Sequence, residues 1–236
     1  MDMLSANIKI TNIDYEKTFE QVFPLLREKI SSMDSKNLII RLFQKLDDAA
    51  LPVMLGIMNR LPEDSKTEMM VLCLNTYSVK IKEKLNEELA KHSIGKYMRV
   101  GCVSIVQQDN ALYLWIGQIQ MDYKGLVKEK LSGKLGGIAA FLAGEKLEKM
   151  ALELLWTEES KQKLLEAARN VIEKYGFAIE LADVQLMQDK TEIVDAIETA
   201  VHLHLTEKME TDILDALAGY LKESVMGQSP VLSEEE

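Results

Sequence analysis

Apolar residues along this chain recur mostly at helical spacing, and one long stretch departs from that rule. In residues 97–123, two runs rich in Val, Ile, Tyr and Trp flank Gln108-Asp109-Asn110-Ala111. That polar tetrapeptide carries an Asp and an Asn that tolerate left-handed geometry, so the segment predicts a β-hairpin. Residues 177–188 predict a third long strand, with Phe177, Ile179 and Leu181 on one parity and Val184 and Leu186 on the other. Strand faces alternate with period two, so the switch near Ala182-Asp183 implies a bulge or a strand buried on both sides. Residues 7–12 alternate Ile8 and Ile10 with polar neighbours and suit a short strand.

The other periodic segments read as helices. From Asp14, a candidate N-cap, Tyr15, Phe19, Val22, Phe23, Leu26 and Ile30 recur on one face, and Pro24 is expected to kink or divide that helix. Asp34 heads a second helix with Leu38, Ile39, Leu42, Phe43 and Leu46 on its apolar face, and a nearly all-apolar third spans residues 52–61 with Pro at its first turn. Ser65-Lys66-Thr67-Glu68 has capping-box spacing and predicts one long amphipathic helix through Met69, Cys73, Tyr77, Ile81, Leu85 and Leu89 to residues 92–95. Thr157 caps a helix with Leu164, Leu165, Ala168, Val171, Ile172 and Tyr175 on one face, stopped by Gly176. A last helical region reaches Met226, unbroken or hinged within residues 206–211, and the polar residues 227–236 are expected to form a disordered acidic tail.

These elements predict an α+β fold, mostly helical, in which an N-terminal helical layer packs on a small antiparallel sheet made of the 97–122 hairpin and the 177–188 strand, with C-terminal helices. The expected division is a helical layer over residues 1–95, an α+β region over 96–226 joined to it in one unit, and the tail over 227–236; a two-domain split near Gly95 is the alternative.

Composition narrows the functions. At 236 residues and 47% hydrophobic content the chain can bury a full core. Its 28 basic and 38 acidic residues give a net charge of −10, which disfavours a nucleic-acid partner. The longest uncharged window, residues 110–121, is too short and too polar for a transmembrane segment. Two cysteines, each within an apolar pattern, and the absence of a signal-like N-terminus point to a cytoplasmic location.

Candidate chemistry is sparse. In the glycine cluster of residues 132–137, either Gly133 and Gly137 form, with Ala140 and Gly144, a smooth helix face for close packing, or the cluster is a loop whose backbone donors and Lys134 hold an anion; an ordinary helix break is the third reading. His202 and His204 are two residues apart in a helical pattern and point about 200° from each other, so no metal site is expected, and no cofactor signature is present. Cys102 with His92 could pair as nucleophile and base, but Cys102 reads as a small strand residue. Met54, Met58, Met69 and Met70 read as core filling ahead of an adaptable contact surface, and Tyr113, Trp115, Ile119 and Met121 as one buried strand face. The expectation is a non-catalytic protein that works by protein–protein contact or self-association as a homo-oligomer. The alternative is a small-molecule-binding protein or enzyme with a pocket between helical layer and sheet, whose candidate contacts are Tyr97, Arg99, Trp115 and Lys134. Membrane association through the acid-rich C-terminal helix is the weakest reading, because such helices normally carry a basic face.

Overall fold

Asp109 and Asn110 both take positive φ, 49° and 58°, in the computed structural model, as a two-residue type I′ hairpin turn demands. The structure describes residues 4–31, 41, 44–45, 51–122, 125–126, 129, 157–188 and 205–226. Its elements are β1 (Leu4–Ile13), α1 (Tyr15–Ser31), α2 (Leu51–Arg60), α3 (Glu63–Asn75), α4 (Ser78–Leu89), a 3-10 turn (Ser93–Lys96), β2 (Met98–Arg99), β3 (Cys102–Gln108), β4 (Ala111–Met121), α5 (Glu158–Lys174), β5 (Ile179–Gln188) and α6 (Glu207–Met226). The fold is mixed helix and antiparallel sheet. The described residues divide into two compact units, one within Met1–Asp14 and Tyr77–Thr199 and the other within Tyr15–Thr76 and Ala200–Glu236.

The first unit holds the five-stranded sheet. β1 runs between β4 and β5, and β2 and β3 pair in succession with the other edge of β4. The expected strand at residues 7–12 is thus longer than its alternation implied, and it is central. Ser5 and Asn7 are buried as well as Ala6 and Ile8, so both of its faces are closed and only Lys9, Thr11 and Asn12 read as polar and exposed. The parity switch in β5 is a bulge: the register with β1 shifts between Val184 and Ala182, and Asp183 takes φ 48°.

A second bulge was hidden in the sequence. Leu4 pairs with Ile119 but Ala6 with Ile116, so β4 carries an extra residue at Gly117-Gln118, where Gln118 sits at φ 49°. Ile119 consequently shares the face of Leu4 and Ile116 rather than that of Trp115, correcting the single-face expectation for Tyr113, Trp115, Ile119 and Met121. Two glycines make the bulge possible. A Cβ on Gly101 would lie 2.6 Å from Gln118 Cβ, and one on Gly117 would lie 1.9 Å from the Trp115 ring. Opposite the break between β2 and β3, the Asn86 amide replaces a strand neighbour: its Oδ1 accepts from Val100 N and its Nδ2 donates to Val100 O, each at 2.9 Å.

α4 packs on β3, α5 on β5, and the two helices on each other. Thr157 caps α5 through Oγ1, which accepts from Ser160 N at 3.2 Å, and Gly176 ends it at φ 73°, both as the sequence implies. Leu164, Leu165, Ala168, Val171 and Ile172 are buried.

The second unit contains α1, α2, α3 and α6. α1 is one element through Pro24, which is exposed, so the missing N–H leaves its carbonyl partner within reach of water. The expected long helix is two helices: α3 ends at Asn75, Thr76 Oγ1 donates to Cys73 O at 2.6 Å, and α4 begins at Ser78. Ser65 does not cap. It lies inside the first turn of α3, where its hydroxyl donates to Asp212 of α6. Met54, Met58, Met69 and Met70 are all buried core residues. α6 starts beyond Thr206, whose Oγ1 accepts from Met209 N at 3.3 Å. The expected second helix near Leu38, the glycine cluster near Lys134, His202, His204 and the acidic tail lie outside the described residues, apart from Arg41, Gln44 and Lys45.

Candidate functional site

Two features of the described surface could carry function, a cleft at the end of the sheet and one face of α6. The cleft begins with Gly95. A Cβ there would lie 2.0 Å from Leu89 O, so only glycine lets the 3-10 turn fold back against the end of α4. Tyr97 N then donates to Ile94 O at 3.1 Å and Asp122 N to Tyr97 O at 2.8 Å, which fixes the chain entering β2 beside the chain leaving β4. Between them lies a cleft of about 330 Å³ lined by Gly95, Lys96, Tyr97, Met98, Arg99, Gln120, Met121 and Asp122. That volume is at the lower end of small-molecule sites.

Its polar groups are already partly committed. The Tyr97 hydroxyl donates to Glu129 Oε2, and this bond, followed by desolvation and the charges of Glu129 and Asp122, pushes the phenol up to about 12. Tyr97 is therefore a donor at neutral pH and not a base. Asp122 Oδ1 accepts from Gly125 N at 2.9 Å. Lys96, Arg99 and Gln120 are exposed, and among the described residues neither cation has an ion-pair partner. The cleft can hold an anionic or polar group. Among the described residues its lining includes no Ser, Cys or His, hence no familiar nucleophile with an adjacent base.

Of the four contacts expected from sequence, Tyr97 and Arg99 line this cleft together, Trp115 does not, and Lys134 lies outside the described residues. Trp115 is only 1% exposed, stands over Gly117, and pairs across strands with Asn7 and Ser104. Its Nε1 is buried without a hydrogen-bond partner among the described residues, a cost the indole's packing must offset. Cys102 starts β3 and His92 precedes the 3-10 turn; Cys73 is fully buried, and burial raises its thiol to about 12, so it is inert. No cluster of three metal-ligating side chains exists among the described residues. None of the described helices is long and apolar enough to cross a membrane.

The second feature is α6. Met209, Ile213 and Ala216 are buried on one side, where the helix contacts α2 and α3, and a Cβ on Gly56 would lie 2.4 Å from the Tyr220 ring. Roughly 140° away by the 100° step of an α-helix, Leu214, Ala218 and Leu221 form an exposed stripe, with Leu214 42% and Leu221 52% exposed. Among the described residues the one other large exposed hydrophobic side chain is Val79. From sequence this helix stands out only as acid-rich. The signal was present in the spacing of Leu214, Ala218 and Leu221, at i, i+4 and i+7, opposite the buried set.

Comparison with protein-family models, with curated proteins and with solved structures finds no match to this chain.

Proposed function

We propose that this chain is a non-catalytic cytoplasmic protein acting through protein–protein contacts, self-association included. The observation that carries the reading is the second apolar stripe of α6: two leucines and an alanine one turn apart stand in water on a helix whose other side already supplies its unit's core. Scattered exposed apolar residues are ordinary, but a contiguous helical row of them marks a surface that gains by being covered. Cross-linking of the full chain in expressing cells tests this. Lysine-directed intermolecular cross-links should concentrate on Lys208 and Lys222, which flank the stripe; cross-links spread evenly over the surface, or confined to lysines of α4 and α5, contradict it.

One observation favours a second reading, a small-molecule binder. Tyr97 and Arg99, chosen from sequence, do share the wall of one cleft with Lys96 and Gln120. A thermal-shift screen against metals, nucleotides, sugar phosphates, amino acids and fatty acids tests it, because a ligand selective for the folded state raises apparent stability. Stabilisation by one anionic class that Arg99→Ala removes supports the reading. A flat response excludes those classes.

A further inference from the structure

The α6 stripe has a symmetry that selects its occupant. We infer that it pairs with the same stripe of a second copy, antiparallel, about a two-fold axis passing near Leu217 and Ala218; this rests on the association reading above. Placing two α6 helices antiparallel with Ala218 at the crossing puts Leu214 of each copy against Leu221 of the other. Small Ala218 permits the close approach at the centre, and the leucines close the seam at both ends. The flanks then decide the direction. Asp215 and Lys222 are exposed, lie on one flank of the stripe roughly 60–90° from its middle, and have no ion-pair partner among the described residues.

In an antiparallel pair the same flanks meet, so Asp215 of each copy faces Lys222 of the other, twice by symmetry. The two pairings are nearly in register: 214 with 221 and 215 with 222 centre one residue apart, on either side of Ala218. A parallel pair sets this flank against the opposite one, which carries Glu210 and Leu217, and forfeits both charge pairs. The seam is short, well below the roughly 1,200 Å² at which specific interfaces begin, so association is expected to be weak, with a Kd on the order of micromolar or higher.

Sedimentation equilibrium on the full chain tests the pairing. The wild type should show a reversible monomer–dimer equilibrium. Asp215→Lys alone and Lys222→Asp alone should each weaken it about tenfold, since each sets like charges together at both ends of the seam. An equimolar mixture of the two variants, or the double exchange in one chain, should recover wild-type affinity. All these sites are exposed, so circular dichroism and Tm should be unchanged. A dimer that ignores both reversals overturns the antiparallel pairing while leaving association intact. A monomer at every concentration overturns the second copy as occupant, and the cross-link map then decides separately whether another protein takes that place.

Discussion

α5 and α6 are both long helices with a buried apolar stripe, yet they treat their remaining surface differently. On α5 the residues away from Leu164, Leu165, Ala168, Val171 and Ile172 are charged or polar: Glu158 to Lys161 and Glu159 to Lys163 pair along the surface, and Arg169 donates to Leu181 O at 2.6 Å. All of its apolar area is used inside its own unit. α6 buries Met209, Ile213 and Ala216 and still presents Leu214, Ala218 and Leu221 to solvent. The same amphipathic logic therefore closes one helix and leaves the other open, and the open one is where function is to be sought.

The largest effect separates the two stripes. Leu164→Ala on α5 and Ile213→Ala on the inner side of α6 should each cost about 2–5 kcal/mol in urea denaturation, since each empties a buried site. Leu221→Ala should stay within about 0.5 kcal/mol. A large loss at Leu221 would mean that the stripe belongs to the fold of the unit, and the contrast would collapse.

The closed surfaces of the sheet sharpen the same contrast. Gly117→Ala must displace the Trp115 ring and should cost about 1–3 kcal/mol, with a changed tryptophan emission as a second readout. Gln118→Gly should instead stabilise by about 1 kcal/mol, because glycine relieves the left-handed backbone at φ 49°.

The smallest effect lies in the cleft. Tyr97 ionises at about 12 in the folded chain, against the ordinary phenol value near 10. The unfolded chain therefore loses this proton first, and stability contributed by Tyr97 is full below pH about 10 and falls as pH rises toward about 12. Tyr97→Phe should flatten that part of the alkaline decline. An unchanged slope would show that the Glu129 bond does not hold the phenol.

Local signals were legible where one residue type has one geometric use. Asp109-Asn110 announced the turn, Thr157 and Gly176 the ends of α5, and the parity switch at Asp183 the bulge in β5. The bulge at Gly117-Gln118 was not legible, because residues 111–116 before it are apolar on both parities, which leaves no alternation for Ile119 and Met121 to break. The capping-box spacing misled for a related reason: Ser65 satisfies its hydroxyl on Asp212, 147 residues away, and a tertiary partner of that kind leaves no mark in a short window. Of the cleft, Tyr97 and Arg99 could be named, while Asp122 and Glu129 acquire their roles only when β4 returns beside the 3-10 turn.

The most direct test of the central claim is sedimentation equilibrium of the full chain beside Leu221→Lys over a concentration series. The wild type should associate reversibly, Leu221→Lys should not, and the two should share one Tm. Equal association of both proteins, or a monomer that Leu221→Lys destabilises, would contradict it.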